Sequence, residues 1–142
     1  MKVEHKSDKG DGRPPVVLVV DDEAGVRRIA TSVLKRGAFE TLEACDGEEA
    51  VRIFQEQGGE VSAVLLDLSM PKLSGRETFV ALRKMDPGTP ILLCSGYPVS
   101  LDEFEVETGF RPNGVIQKPF DVMALCATVR DMMDGASIRA VG

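Results

Sequence analysis

The chain has 142 residues, 43% of them hydrophobic, and 17 Lys and Arg against 23 Asp and Glu for a formal charge of −6. That length suits one domain able to bury roughly two thirds of its unfolded surface without disulfides or structural metal, and the acidic balance argues against a nucleic-acid binder and for cations or basic partners. The three cysteines, Cys45, Cys94 and Cys126, are odd in number and lack Cys-x-x-Cys spacing, which points to neither a disulfide framework nor a zinc site. No apolar run approaches the ~18 residues of a membrane span and no signal-peptide core is present, so a soluble chain in the reduced cytoplasm is expected.

Residues 1–14 are polar and lead into Pro14-Pro15, a flexible tail; residues 15–135 are the domain, and 136–142 a short second tail. The first apolar run, Val16 to Val20, ends on Asp21-Asp22, and a helix follows with Val26, Ile29, Ala30, Val33 and Leu34 on one face and a stop at Gly37. A second run, Phe39 to Ala44, is interrupted by Glu40 and Glu43, which suits an edge strand. Asp46 with Glu49 then caps a helix. Val64-Leu65-Leu66 ends on Asp67, and Ser74 with Glu77 starts the next helix. Ile91 to Cys94 ends on Ser95, and Ser100 with Glu103 opens a helix that Gly109 closes. Val115-Ile116-Gln117 leads to Lys118, and Val122, Leu125, Val129 and Met132 stripe the last helix. Five strand–helix units with right-handed crossovers predict an α/β, doubly wound (βα)5 three-layer sandwich: a five-stranded parallel sheet of order 2-1-3-4-5, helices on both faces.

Ligand sites in such sheets gather at the carboxyl ends of the strands, so Asp21, Asp22, Asp67, Ser95 and Lys118 are expected to share one crevice. Adjacent carboxylates repel, and a hard divalent cation relieves them; Mg²⁺ prefers oxygen ligands, keeps several waters and accepts phosphate oxygens. Taken alone, Asp21 or Asp22 serves equally well as a helix cap. Asp67 has no such alternative, because Pro71 separates it from the helix that Ser74 starts. The Lys118-Pro119 bond is open to the cis form, which would turn the ammonium back over the strand ends, and the Ser95 hydroxyl can donate a hydrogen bond there. A carboxylate nucleophile, a metal, a cation and a hydroxyl are the parts needed to form and stabilise an aspartyl phosphate.

The segments Val19-Val20-Asp21-Asp22-Glu23, Asp67-x-x-Met70-Pro71-x-x-x-Gly75, Cys94-Ser95-Gly96 and Lys118-Pro119-Phe120, in this order and spacing, resemble the response-regulator receiver domains of two-component signalling. The resemblance covers about residues 15 to 134 and implies a flavodoxin-like fold. It implies Asp67 as phosphoacceptor, Mg²⁺ on Asp21, Asp22, Asp67 and the Ser69 backbone carbonyl, and contacts from Ser95 and Lys118 to the phosphoryl group. It further implies a histidine kinase or histidine phosphotransfer protein as donor, and a downstream protein or a homodimer engaged through the 99–118 region. Leu93-Cys94-Ser95-Gly96-Tyr97 and Gln117-Lys118-Pro119-Phe120 are similar to receivers fused to the C-terminus of hybrid sensor histidine kinases. Family members usually carry Tyr or Phe three residues before the lysine, where this chain has Val115. The signal is then expected to pass through Tyr97, its only tyrosine, or through the helix from Ser100 to Thr108.

No independent enzymatic turnover is expected beyond self-phosphorylation and self-dephosphorylation. Three other readings compete. A Mg²⁺-dependent phosphohydrolase would need an acid at Ser69; a flavin carrier would set Asp21-Asp22 against the cofactor phosphate. A phosphorylation-independent interaction module has to leave the acidic cluster unexplained. His5, the only histidine, lies in the tail, so the chain is not expected to be a kinase or phosphotransfer domain itself, and no output domain is expected after Asp134.

Overall fold

The computed structural model describes residues 12–70, 74–135 and 138–140. Its strands are β1 (Val16–Val20), β2 (Glu40–Ala44), β3 (Ala63–Asp67), β4 (Ile91–Ser95), β5 (Gly114–Gln117) and β6 (Ile138–Ala140). The helices are α1 (Ala24–Arg36), α2 (Gly47–Gln57), α3 (Gly75–Met85), α4 (Leu101–Thr108) and α5 (Leu125–Met133). All strand pairs are parallel, in the order β2-β1-β3-β4-β5-β6.

Successive strand residues face opposite sides, and the sequence supplies apolar residues for both. Leu18, Val20, Val64, Leu66, Ile91 and Leu93 pack under α2, α3 and α4, through Ile53, Phe54, Phe79, Leu82 and Phe104. Val17, Val19, Ala63, Leu65, Leu92 and Cys94 pack under α1 and α5, through Ala30, Leu34, Leu125, Val129 and Met132. Truncating any one of the fully buried leucines to alanine costs about 2–5 kcal/mol, so two such cores hold the sheet firmly. β2 lies at one edge with Glu40 and Glu43 exposed, as its broken apolar pattern predicts.

The expected caps form: Asp46, Ser74 and Ser100 accept from the backbone N–H groups of Glu49, Glu77 and Glu103, and Ser74 with Glu77 makes a full capping box. Gly109 ends α4 in the left-handed region at φ 85°.

Three details depart from the sequence reading. The sheet has a sixth strand: Ile138–Ala140 extends the sheet beyond β5 within the segment read as a tail. Residues 1–11, 136–137 and 141–142, the rest of the two expected tails, lie outside the described residues, as does Pro71. Gly37 ends α1, yet the left-handed residue is its neighbour Ala38, at φ 71°. Glycine is needed at position 37 because a Cβ there would collide with the Cys126 side chain of α5. Ile29, expected in the α1 core stripe, is 53% exposed, and Ala30 and Leu34 do the packing.

Candidate functional site

Strand register gathers the site. Asp67 ends β3 and pairs with Cys94, one residue before Ser95; Ser95 pairs with Gln117, one residue before Lys118. Val20 pairs with both Ala44 and Leu66, so Asp21 leaves the sheet at the same level. The buried runs fix these registers, because a slip of one residue would turn every side chain to the wrong face.

Asp21, Asp22 and Asp67 each place a carboxylate oxygen within 4.8 Å of the others. Asp21 and Asp67 are buried and Asp22 is exposed. Lys118 Nζ lies 3.0 Å from Asp21 Oδ2, 3.4 Å from Asp67 Oδ1 and 3.9 Å from Glu23 Oε1. The Lys118-Pro119 bond is cis. The Ser69 N–H donates to Asp67 Oδ1 at 3.1 Å, and the Glu23 N–H to Asp21 Oδ1 at 2.9 Å. Asp21 Oδ1 thus makes a local backbone bond without capping α1, whose N-cap is Glu23 with no side-chain cap bond, while Asp21 Oδ2 accepts from Lys118.

Burial pushes the Asp67 carboxyl up to about 6, with the Asp21 charge adding to the rise and the Ser69 N–H and Lys118 opposing it. Lys118 is pulled down by burial, but its contacts with Asp21 and Asp67 outweigh this and leave it above its ordinary value. One ammonium among three carboxylates leaves the cup negative. Oxygen donors at a partly open mouth fit a hard cation that retains water, and the carboxylates of Asp21, Asp22 and Asp67 suit Mg²⁺.

Ser95 is fully buried, and its Oγ accepts the Tyr97 N–H at 3.1 Å. Its carbonyl accepts the Lys118 N–H at 2.7 Å, tying the two side-chain positions through the backbone. Gly75, named above only as part of a motif, has a physical reason here: a Cβ would meet the Leu68 backbone and lie 2.7 Å from the Asp67 carbonyl oxygen. α3 can thus start directly against the loop that follows β3.

The family model described as "Response regulator receiver domain" matches residues 17–130. The chain belongs to this family. Among curated relatives, this receiver is 34% identical over 125 residues to the "Sensor kinase CckA" of Brucella abortus, covering 83% of this chain and 12% of the kinase. It is 37% identical over 117 residues to the "Probable transcriptional regulator ycf27" of Porphyridium aerugineum, covering 82% of this chain and 47% of the regulator. The receiver therefore spans half or less of these relatives. Of solved structures, chemotaxis protein CheY4 of Vibrio cholerae superposes with a TM-score of 0.74 at 25% identity, covering 84% of this chain and 98% of that one. The CheX–CheY–BeF3–Mg²⁺ complex of Borrelia burgdorferi gives 0.75 at 25% identity, covering 91% and 96%. The flavodoxin-like fold with strand order 2-1-3-4-5 stands, extended here by β6. Among the described residues no helix is long and apolar enough to cross a membrane.

Within the receiver, Val115 is half-buried on β5 and packs against the core beneath α2, α3 and α4. Tyr97 is 44% exposed, and its hydroxyl accepts Arg76 Nη1 at 3.2 Å. Arg76 Nε in turn donates to Glu107 Oε1 at 3.2 Å, and its guanidinium lies 5.4 Å from the Phe104 ring centroid. Sequence reading singled out Tyr97 but missed Arg76, whose place on α3 carried no signal. Cys94 is fully enclosed, and burial raises its thiol far above the ordinary value, in keeping with a packing role.

Proposed function

We propose that this receiver takes a phosphoryl group on Asp67 from a phosphohistidine of a histidine kinase or histidine phosphotransfer protein, with Mg²⁺ as cofactor, and thereby changes its affinity for a partner. The observation that carries the reading is the convergence of Asp67, the acidic pair and Lys118 at one end of the sheet. An Asp67 carboxylate oxygen attacks phosphorus as the P–N bond breaks, and the departing imidazole keeps the electron pair and takes up a proton. Bound by Asp21, Asp22, Asp67 and the Ser69 carbonyl, Mg²⁺ would offset charge on the phosphoryl oxygens. Lys118 adds a second positive charge on the same side. Ser95 Oγ accepts from Tyr97 while its own proton can donate to a phosphoryl oxygen.

An apolar groove of about 330 Å³, lined by Val26, Ile29, Lys118, Pro119, Phe120 and Val122, opens beside the site. Because it shares Lys118 with the acceptor pocket, an apolar face of the phosphodonor is its occupant in this reading. The exposed Ile29, odd for a core stripe, is then explained. Signal leaves through Tyr97: a Ser95 hydroxyl drawn to the phosphoryl group weakens the bond from the Tyr97 N–H, and Tyr97 reports through Arg76 to Glu107 on α4. The domain turns over no separate substrate, acts in the cytoplasm, and resembles the receivers of hybrid sensor kinases.

Intact mass after incubation with Mg²⁺ and acetyl phosphate tests the reading. One added phosphoryl group that requires Mg²⁺ and is absent from Asp67→Ala is expected. No adduct, together with no binding of a beryllofluoride mimic, would move the domain to a phosphorylation-independent module.

A further inference from the structure

We propose that Arg27 is a positioning residue for the acidic cup and that Glu43 holds it in place; this rests on the reading of Asp21 and Asp22 as ligands of Mg²⁺. Arg27 lies in the first turn of α1, and its backbone N–H donates to the Glu23 carbonyl at 3.0 Å. Its Nη1 donates to the Asp21 backbone carbonyl at 2.7 Å, and its Nε to Glu43 Oε1 at 3.1 Å. The Arg27 side chain is only 18% exposed. A guanidinium is planar, with donors in fixed directions, so satisfying both acceptors sets its plane and fixes the Asp21 carbonyl.

That carbonyl belongs to the Asp21–Asp22 peptide. The Asp21 N–H is pinned to the Ala44 carbonyl at 3.1 Å, and its carboxylate is held by the Glu23 N–H and by Lys118. Asp22 has no comparable tether: it is exposed, and among the described residues its carboxylate has no hydrogen-bond partner. The direction in which Asp22 points is thus set by its main chain, and Arg27 grips the peptide that sets it. Glu43 gains a role from this geometry. It interrupts the apolar pattern of β2, yet from that edge it spans to α1 and cancels the Arg27 charge beside a cation site. The pair contributes orientation without net charge.

Two accounts of Arg27 then predict opposite signs. If it acted only as a positive charge near the cup, removing it would tighten Mg²⁺ binding. As a positioning residue, its loss loosens binding. Titration calorimetry of MgCl2 into the full chain, for wild type, Arg27→Ala, Arg27→Lys and Glu43→Gln, separates them, with thermal unfolding as the check on fold. The Mg²⁺ dissociation constant is expected to rise about tenfold in Arg27→Ala, the scale seen when groups orienting metal ligands are removed, and about threefold in Glu43→Gln. Arg27→Lys keeps the charge but lacks the fork, and should follow Arg27→Ala. With acetyl phosphate, the Mg²⁺ concentration giving half the maximal phosphorylation rate should rise by matching factors, the rate recovering at saturating Mg²⁺. Variants that melt like wild type and bind Mg²⁺ as tightly or more tightly overturn the proposal; Glu43→Gln, exposed and off the helix, decides it should Arg27→Ala fail to fold. A wild-type chain that binds no Mg²⁺ overturns this inference together with the proposed function, whereas normal wild-type binding with unaffected variants overturns this inference alone.

Discussion

Replacing Asp67 with asparagine should stabilise the metal-free domain at neutral pH. The Asp67 carboxyl sits at about 6 in the folded protein against an ordinary 3.8, so between those values the folded state holds a proton that the unfolded chain releases. Stability from this group is therefore highest below about pH 4 and falls as pH rises through 6, leaving the full penalty at neutral pH. About two pKa units correspond to roughly 3 kcal/mol; the site opens to water through exposed Asp22, and screening there cuts the figure to about 1–2 kcal/mol. Urea unfolding without divalent ions at about pH 7.5 should show the Asp67→Asn variant more stable by that amount, and the gap should close towards about pH 4. Millimolar Mg²⁺ should narrow it at neutral pH by stabilising wild type selectively. A variant less stable than wild type at neutral pH without metal, or a gap indifferent to pH, would refute the reasoning.

Arg83 donates from a buried position to the Thr89 and Arg111 carbonyls and to Asn113 Oδ1, so Arg83→Ala should cost about 2–4 kcal/mol in urea unfolding by stranding those acceptors. Gly75→Ala should lose about 2 kcal/mol or more and slow acetyl-phosphate labelling, since the added methyl meets backbone beside Asp67 that cannot simply step aside. Ala38→Gly should gain about 1 kcal/mol by relieving an alanine held at φ 71°. Tyr97→Phe removes the hydroxyl that accepts from Arg76 but keeps the N–H bond to Ser95; phosphorylation yield should persist while phosphorylation-dependent partner binding weakens, and unchanged binding would take Tyr97 out of the signal path.

The strand ends were legible because a doubly buried parallel strand needs an unbroken apolar run, and Asp67 and Ser95 each stand where such a run stops. The caps were legible because their chemistry is local, spanning three residues. What escaped depends on contacts distant in sequence. Arg27 and Glu43 each look like solvated surface charge until β2 is set beside β1 and α1 is laid across them. Ile138-Arg139-Ala140 is too short to show a period of two, so β6 could not be told from a tail. At the end of α1 the glycine drew attention to itself, but the requirement at Gly37 is room for Cys126, a residue on α5; the backbone turn falls on Ala38. A helix stripe fixes which face packs on average, and Ile29 shows that its margin can be left outside.

The cup works against the fold that holds it. Two carboxylates are buried within reach of one another, and Lys118 and the Ser69 N–H only partly offset the cost of charging Asp67. The cores on both faces of the sheet tolerate that deficit, since a few kcal/mol is small beside what the buried leucines and phenylalanines contribute. The deficit is also what makes the site responsive. A cation that binds only the folded state recovers stability that the metal-free protein lacks, so ligand affinity and local instability share one electrostatic origin. The Asp67→Asn change would relieve the strain on the fold by removing the buried charge and its repulsion, and under the proposed function it removes the nucleophile as well. Stability gained at this position therefore comes at the expense of the chemistry the cup can perform.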